Sequence, residues 1–256
     1  MISIFTSLRP PENEFEYIQW NAVVSWSLIP YVDDILVIGP GDGIPDLVKG
    51  IHNVRVIPDV LHKDGVPYLD DLFHVAWENA RNNVIAYVNG DIILTSGFSH
   101  AVEVTYNYMA GINQERWLMV GQRIDTPVDG RFDFNYNVSG GEWEIRLIDL
   151  VDRVGVPHAR SGQDYFVHPK YLWGHINPFL LGRSVWDNWL SWEAKASGAY
   201  TVDATGMVLA VHQDHSRAID YHSPECDYNK TLFDGKHCYL DATTHYLTAD
   251  GRCMER

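Results

Sequence analysis

Val84-Ile85-Ala86-Tyr87-Val88-Asn89-Gly90-Asp91-Ile92-Ile93-Leu94 is the clearest strand-and-turn pattern in the sequence. Its first five residues are a continuous apolar run, which predicts a strand buried on both faces, as in a parallel sheet. The run meets the polar turn Asn89-Gly90-Asp91, and an apolar run then resumes. Asn-Gly-Asp is also ordinary turn chemistry, so this spacing alone leaves a plain turn open.

The segments upstream of this stretch alternate between strand and helix patterns. We predict strands over residues 2–6, 34–38 and 54–57, and helices over residues 15–28 and 68–80. This order is typical of the α/β class, with a mainly parallel, Rossmann-like central sheet flanked by helices. Ligands of such sheets bind beyond the carboxyl ends of the strands, so residues just after each strand are the first candidates for chemistry.

The downstream half has a less regular pattern and a polar C-terminal tail. No repeat or linker divides it, so we predict one domain with a C-terminal extension. The predicted strands are 117–123, 164–168, 201–203 and 207–211, and the predicted helices are 143–154 and 184–197.

The charge balance restricts the class of partner. The formal net charge is −15, from 34 acidic and 19 basic residues. A nucleic-acid partner needs a basic face to neutralise phosphates, so we expect none. A nucleotide ligand stays possible, because a bound divalent cation neutralises phosphates locally.

Three further features concern the environment of the chain. Its three cysteines have no disulfide-type spacing, which favours a reducing, cytoplasmic compartment. The first residues lack a basic region followed by a long apolar stretch, so we expect no signal peptide. No apolar run approaches the roughly 18 residues of a membrane span.

The nine tryptophans fit a large core better than a sugar-stacking surface, although Trp173, Trp186 and Trp189 are candidates for the latter.

Val211-His212-Gln213-Asp214-His215 is the second cluster with chemical potential. An apolar run ends there in two imidazoles that flank an amide and a carboxylate. Histidine is the commonest metal ligand, and carboxylates suit hard cations such as Mn²⁺ and Mg²⁺. A surface turn is the alternative for a single histidine, but a cluster favours a metal site. The later His222, His237 and His245 are expected at the surface.

Asp187 lies in the first turn of the helix predicted over residues 184–197. Acids there are favoured by the helix dipole, which is the structural alternative. The functional interpretation is a general base that takes a proton from a hydroxyl group. Asp164, just before a predicted strand, is the second candidate for the general base. Alternatively, it could hold a hydroxyl of either substrate, the group donor or the acceptor.

The order of elements up to Asp91, together with Asn89-Gly90-Asp91, resembles the nucleotide-binding half of GT-A-fold glycosyltransferases. In that family the turn is usually Asp-any-Asp and holds a divalent cation on the donor pyrophosphate. The resemblance implies Asp91 as a metal ligand, joined by His212 or His215, with His212 favoured because it follows the strand. It implies that Asn89, which replaces the first acid, binds ribose or a metal-bound water. It also implies Asp187 as the base of an inverting transfer.

The same resemblance places the donor at the ends of the first strands. Arginine suits phosphate, and the aspartates suit the base or the ribose. For Asp70 and Asp71, negative charge at a helix N-terminus is the alternative. The expected donor-binding residues are Thr6, Ser7, Arg9, Asp42, Asp71, Asn89 and Gly90, with Asp59 as a further candidate.

Together these features predict a metal-dependent glycosyltransferase that moves a sugar from a nucleoside-diphosphate sugar to a hydroxyl of a glycan or other acceptor. Its single GT-A-like domain would comprise a nucleotide-sugar half (1–95), an acceptor and metal half (96–222) and an extension (223–256). A sugar nucleotidyltransferase is the first alternative, but such enzymes have a Gly-rich loop where this chain has Thr6-Ser7-Leu8-Arg9-Pro10-Pro11. A non-catalytic sugar- or metal-binding module, or a metallohydrolase, are the others.

Overall fold

The computed structural model describes residues 1–134, 142–216 and 220–256. Its helices within these residues are α1 (Glu14–Ser27), α2 (Ile44–Leu47), α3 (Leu69–Asn79), α4 (Gly97–Gly111), α5 (Glu142–Val154), α6 (Trp186–Ala196) and α7 (Pro224–Phe233). Its strands are β1 (Ile2–Thr6), β2 (Val32–Ile38), β3 (Val54–Ile57), β4 (His62–Lys63), β5 (Val66–Pro67), β6 (Val84–Val88), β7 (Ile92–Leu94), β8 (Trp117–Val120), β9 (Arg123–Thr126), β10 (Val156–Pro157), β11 (Tyr165–Pro169), β12 (Tyr200–Asp203), β13 (Ala210–Gln213), β14 (His245–Leu247) and β15 (Cys253–Glu255).

The central sheet of the described residues has nine strands in the order β15-β14-β12-β8-β11-β6-β1-β2-β3. All of them run in one direction except β11 and β15. The predicted α/β class, with a mainly parallel central sheet flanked by helices, is therefore confirmed.

Both faces of this sheet are covered, because successive side chains of its strands point to opposite faces. In β1, Ile4 packs into the core cluster that also contains Trp26 of α1 and Phe98 of α4. Its neighbour Phe5 joins the cluster on the other face and meets Phe73 of α3 edge-on, with ring centroids 4.9 Å apart. Both residues are fully buried, which explains the continuous apolar runs that the sequence shows.

A smaller sheet of four strands, in the order β10-β9-β13-β7, lies beside the central one. The turn at Asn89-Gly90-Asp91 connects β6 of the large sheet to β7 of the small sheet. Trp26 of α1 donates a hydrogen bond from Nε1 to the carbonyl oxygen of Ile92, at 2.9 Å. Helix α1 therefore fixes the small sheet against the large one at the turn that the sequence singles out.

The polar C-terminal segment is part of the architecture. Strand β14 pairs in parallel with β12 and β15 pairs antiparallel with β14, so the segment extends the central sheet. Helix α7 packs against α6, since the two elements contact each other directly. None of the helices in the described ranges has the length and apolarity that crossing a membrane requires.

The burial of two residue groups corrects expectations from the sequence. Trp173, Trp186 and Trp189 are only 2%, 4% and 4% exposed, so the idea that they face sugar rings is wrong and they belong to the core. His245 in β14 is buried as well, at 3% exposure, and stacks on Tyr200. The expected surface location is therefore wrong for His245.

Candidate active site

Asp91 lies in the turn that follows β6, at the edge where the parallel strands have their carboxyl ends. His212 is the third residue of β13, and His215 follows that strand. The Nε2 atoms of His212 and His215 lie 3.6 Å and 3.5 Å from Oδ2 of Asp91. The fold thus brings Asp91 together with two histidines that lie more than a hundred positions later in the chain.

The chemistry of these three side chains fits a divalent cation. One ligand atom from each lies within 4.8 Å of the others. Two atoms bound to one ion at about 2.1 Å are roughly 3.0–3.4 Å apart, which is close to the separations found here. Oδ1 of Asp91 is buried and has no hydrogen-bond partner among the described residues. A carboxylate with two imidazoles therefore forms a group that could hold Mn²⁺ or Mg²⁺.

The charges within this group reinforce one another. Burial of Asp91 raises its pKa, but the hydrogen bond from His215 and the charges of His212, His215 and Arg123 outweigh it and hold the pKa below its ordinary value. The carboxylate of Asp91 in turn raises the pKa of His215, against the effect of burial. Asp91 is therefore kept ionised, as a metal ligand must be.

Gln213 fixes the relative position of Asp91 and the two histidines. Its backbone N–H donates to the carbonyl oxygen of Asp91 at 3.1 Å, and its Nε2 reaches the same oxygen at 3.2 Å. Asn21 of α1 donates to Oε1 of Gln213 at 2.8 Å. Gln213 and Asn21 are both fully buried. Sequence reasoning missed both of them, since a polar residue in an amphipathic helix gives no sign of a partner nearly two hundred residues away in the chain.

Asp125 of β9 lies beside His212, because β9 and β13 pair in parallel with these two residues in register. Its Oδ1 is 3.1 Å from Nδ1 of His212, and its Oδ2 is 2.7 Å from Nδ1 of His158. Arg123 donates to the same carboxylate at 3.0 Å. Burial raises the pKa of Asp125, but the hydrogen bond from His158 and the charge of Arg123 outweigh it and hold the pKa below its ordinary value.

The residues Asp125, Arg123 and His158 were also missed from the sequence. The available signal was the alternation of charged and apolar residues in Arg123-Ile124-Asp125, which places both charged side chains on one face of a strand.

Asn89 and Asp164 are hydrogen-bonded to each other. Nδ2 of Asn89 donates to Oδ1 of Asp164 at 2.6 Å, and the backbone N–H of Asn89 donates to the carbonyl oxygen of Asp164 at 2.9 Å. Arg123 donates to the same Oδ1 at 2.9 Å, and Tyr87 donates to Oδ1 of Asn89 at 2.7 Å. Asp164 is only 4% exposed, and its Oδ2 has no partner in the part of the chain that the structure describes.

Asp187 lies in the first turn of α6, with its carboxylate accepting a hydrogen bond from Nδ2 of Asn188 at 3.1 Å. Burial raises the pKa of Asp187 to about 6, and the negative charge of Asp164 adds to the rise. A carboxylate whose pKa approaches neutrality is suited to accept a proton. The charge of Asp164 acts on both Asp187 and Tyr87, and Tyr87 also feels the charge of Asp91, so the three carboxylates lie near one another.

The residues after β1 meet the site turn from the other side. A Cβ added to Gly90 would lie 2.5 Å from Leu8, so the loop after β1 packs closely on the turn. Ser7 lies against the end of β2, where a Cβ on Gly39 would be 2.9 Å from its hydroxyl oxygen. Thr6 is fully buried, and its hydroxyl has no hydrogen-bond partner among the described residues.

One aromatic ring, that of Phe15, separates Arg9 from the candidate metal ligand His215. Its guanidinium stands 4.1 Å from the ring centre of Phe15, and that ring is 5.1 Å from the ring of His215. Gln19 fixes the backbone of Arg9, accepting from its N–H at 2.8 Å and donating to its carbonyl oxygen at 3.0 Å.

Asp42 and Asp71 lie further along the same edge. Asp42 is exposed in the turn after β2. Asp71, in the first turn of α3, accepts a hydrogen bond from the backbone N–H of Leu61 at 2.6 Å and so fixes the loop before β4.

Fold and site together define a mixed α/β protein with a carboxylate–imidazole group at the edge where the parallel strands have their carboxyl ends. No family model matches the chain, and no curated protein matches it either.

Comparison with solved structures finds S. aureus TarS. Residues 1–349 of TarS in complex with UDP-GlcNAc are 14% identical, over 51% of this chain and 36% of that one, with a TM-score of 0.36. The complex of the same TarS residues with UDP gives a TM-score of 0.36 and 37% coverage of that chain. The match spans little more than a third of those TarS chains, and at this TM-score it carries no argument about function.

Proposed function

We propose that this protein is a divalent-metal-dependent glycosyltransferase of GT-A type, which moves a sugar from a nucleoside-diphosphate sugar to an acceptor hydroxyl. The observation that carries the proposal is the convergence of Asp91, His212 and His215 at the carboxyl edge of a parallel sheet. The same edge holds Asp164 and Asp187, which are the acids that a transfer reaction can use.

Asp91, His212 and His215 are the proposed metal ligands. A divalent cation bound there supplies positive charge to the two donor phosphates and to the departing nucleoside diphosphate. Asp125 lies behind His212 at 3.1 Å and is proposed to orient that imidazole, as carboxylates do for many metal-bound histidines.

Asp187 is the proposed general base. It accepts the proton of the acceptor hydroxyl while the acceptor oxygen forms its bond to the anomeric carbon of the donor. The bond from that carbon to the phosphate oxygen breaks, and the nucleoside diphosphate leaves with the electron pair. Attack opposite to the leaving group gives inversion. Asp164 is proposed to hold a sugar hydroxyl through its unpaired Oδ2.

The donor is proposed to lie along the ends of β1, β2 and β6. Arg9 supplies a cationic group near the metal ligands, and the buried Thr6 hydroxyl has no partner among the described residues. Asn89, which is bonded to Asp164 and Tyr87, is proposed to lie beside the ribose or a metal-bound water. The proposed donor-binding residues are Thr6, Ser7, Arg9, Asp42, Asp71, Asn89 and Gly90.

The wider assignments follow from the same proposal. One domain would combine a nucleotide-sugar half (1–95), an acceptor and metal half (96–222) and the segment 223–256. The acceptor is proposed to be a glycan or another hydroxyl compound. A reducing, cytoplasmic setting is supported by Cys226, Cys238 and Cys253, which are all free thiols.

The proposal is tested by a thermal-shift screen of UDP-, GDP- and dTDP-sugars with and without Mn²⁺. A ligand that binds the native state stabilises it by mass action, by about 2.7 kcal/mol at a hundredfold excess over Kd. This stabilisation raises the melting temperature. We expect at least one sugar nucleotide to give a shift that depends on Mn²⁺. Release of the nucleoside diphosphate with an acceptor present then separates a transferase from a binding module.

The matched variants for this screen are Asp91→Ala and Asp152→Ala. Asp91→Ala is expected to abolish the Mn²⁺-dependent part of the shift, whereas Asp152→Ala changes an exposed acid of α5 and should behave as the wild type. If no sugar nucleotide shifts the wild-type protein under any metal condition, the proposed function is wrong.

A further inference from the structure

Asn229 of α7 is bonded to the loop formed by residues 180–185, which leads into α6. Its Oδ1 accepts a hydrogen bond from the backbone N–H of Leu180 at 2.8 Å. Its Nδ2 donates to the carbonyl oxygens of Leu180 at 3.0 Å and Ser184 at 3.2 Å. Asn229 is fully buried, so these contacts are made away from competing water.

The loop needs such support because its backbone is strained at the end next to Asp187. Val185 has φ +75°, a left-handed conformation in which a β-branched residue is a genuine outlier. Strain of this kind persists only where the surroundings hold the backbone in place. Val185 is the N-cap residue of α6, two positions before Asp187, so a change in its conformation redirects the first turn of the helix.

The start of the loop is held separately. Leu180 forms an isolated bridge with Tyr68, and the backbone N–H of Leu181 donates to the carbonyl oxygen of Pro67 at 3.0 Å. These contacts fix the beginning of the loop but not Ser184 and Val185. The bond from Asn229 to Ser184 supports the strained end.

We propose that Asn229 is a positioning residue, and that α7 holds the loop 180–185 so that Asp187 is presented to the acceptor. The inference rests on the proposed function for the role of Asp187. It gives the C-terminal segment a part in the reaction through the loop rather than through contact with substrate.

The test compares Asn229→Ala with Asn177→Ala. Asn177 also joins α7, since its Nδ2 donates to the carbonyl oxygen of Leu232 at 3.1 Å, but it lies outside the loop 180–185. For Asn229→Ala we expect kcat to fall roughly 10- to 100-fold with the donor KM unchanged, because small misplacements of a catalytic group cost this much. For Asn177→Ala we expect kcat near that of the wild type.

A rescue experiment distinguishes positioning from general destabilisation. Glycine adopts positive φ without steric cost, so Val185→Gly removes the backbone strain at position 185. We expect Val185→Gly to recover part of the lost kcat in the Asn229→Ala background. A loss of kcat through general destabilisation would instead follow the free energy of unfolding of each variant, measured in urea.

Two readouts do not depend on turnover. Hydrogen exchange of residues 180–187 should speed up in Asn229→Ala and stay unchanged in Asn177→Ala, and the titration of Asp187 should move towards that of an ordinary aspartate. If Asn229→Ala does not fold, Asn229→Asp serves instead, since it keeps the shape and opposes a carboxylate to the two carbonyl oxygens. Unchanged exchange and titration overturn the inference, whereas a wild-type protein without transfer overturns the proposed function.

Discussion

At the scale of single residues, Asn89 shows why an amide rather than a second acid suits the position two residues before Asp91. Asn89 and Oδ1 of Asp164 are 2.6 Å apart, and the amide donates the hydrogen bond that joins them. An aspartate at position 89 would place two carboxylates in contact at a buried site, which is strongly unfavourable. The amide therefore lets Oδ1 of Asp164 accept hydrogen bonds from both Asn89 and Arg123.

The proposed role of Asp187 as general base predicts how the rate of transfer depends on pH. Because burial raises the pKa of Asp187 to about 6, its basic form accumulates as the pH rises through 6. We expect kcat to rise over that range and to level off above it. The measurement is kcat between pH 5 and pH 8 at saturating donor.

Asp187→Asn is the matched variant for this profile. It should retain donor binding and lose transfer by roughly 10²- to 10⁴-fold, the usual contribution of a general base. It should be at least as stable as the wild type at pH 7, because a raised carboxyl pKa means that ionising Asp187 costs folding stability as the pH rises. Retained transfer in Asp187→Asn would remove Asp187 from the role of base.

At the scale of elements, β11 carries a histidine whose pKa changes when the chain folds. His168 is fully buried among Phe5, Phe73 and Trp173. Its Nδ1 lies 2.8 Å from the carbonyl oxygen of Pro169, and its Nε2 has no partner among the described residues. Burial lowers the pKa of His168 to about 4. The imidazole is therefore neutral in the folded protein.

We predict that this neutral histidine makes the protein lose stability in mild acid. The unfolded chain takes up the proton near pH 6.5 and the folded chain near pH 4, so stability falls as the pH drops from 6.5 towards 4. Between pH 7 and pH 5 the loss from His168 is about 2 kcal/mol. Urea unfolding at the two pH values measures it.

His168→Gln and His74→Gln form the comparison for this measurement. Glutamine keeps a hydrogen-bond donor but does not titrate, so His168→Gln should lose less stability between pH 7 and pH 5 than the wild type. His74 is exposed on α3, and its replacement should leave the difference unchanged. Equal losses in His168→Gln and the wild type would show that His168 is not kept neutral by burial.

The elements predicted from the sequence differ in how well they match the structure. The strands and helices predicted in residues 1–88 match the observed bounds to within about two residues. Buried strands and amphipathic helices leave clear periods in the sequence, which is why they are predictable. The last predicted strand, 207–211, is displaced: β13 spans Ala210–Gln213. The reason given for favouring His212, that it follows the strand, is therefore wrong. His212 faces Asp125 and Asp91 because of cross-strand register, which local sequence does not encode.

Helix α4 (Gly97–Gly111) was not predicted, although its buried Phe98, Ala101, Val102, Thr105 and Met109 recur at helical spacing. Glycine at both ends and β-branched residues within it weaken its local propensity. Packing of this face against the central sheet outweighs that propensity, since Phe98, Ala101 and Val102 belong to the core cluster with Ile4.

At the scale of the whole molecule, the C-terminal segment illustrates what the sequence does not predict. The segment is polar and without a clear period, yet β14 and β15 extend the central sheet. Asp203, at the end of β12, accepts a hydrogen bond from Arg160 at 2.6 Å and one from Arg256 at 2.8 Å. Such long-range pairing depends on partners far away in the chain, so the sequence left the role of this segment open.

The candidate site also could be predicted only in part from the sequence. Asp91, His212 and His215 are recognisable by residue type, because acids and imidazoles at strand ends suggest metal binding. The residues that fix them, Gln213 and Asn21, are ordinary amides whose partners become apparent only when the chain is folded.

Metal binding by Asp91, His212 and His215 is tested by titrating the protein with Mn²⁺, followed by electron paramagnetic resonance in the presence of the nucleoside diphosphate that gives the largest thermal shift. We predict one bound Mn²⁺ whose spectrum shows nitrogen coupling from imidazole. The coupling should weaken in His212→Ala and His215→Ala, and binding should be lost in Asp91→Ala. Mn²⁺ bound without nitrogen coupling, or bound equally well by Asp91→Ala, would show that these three residues do not form the metal site.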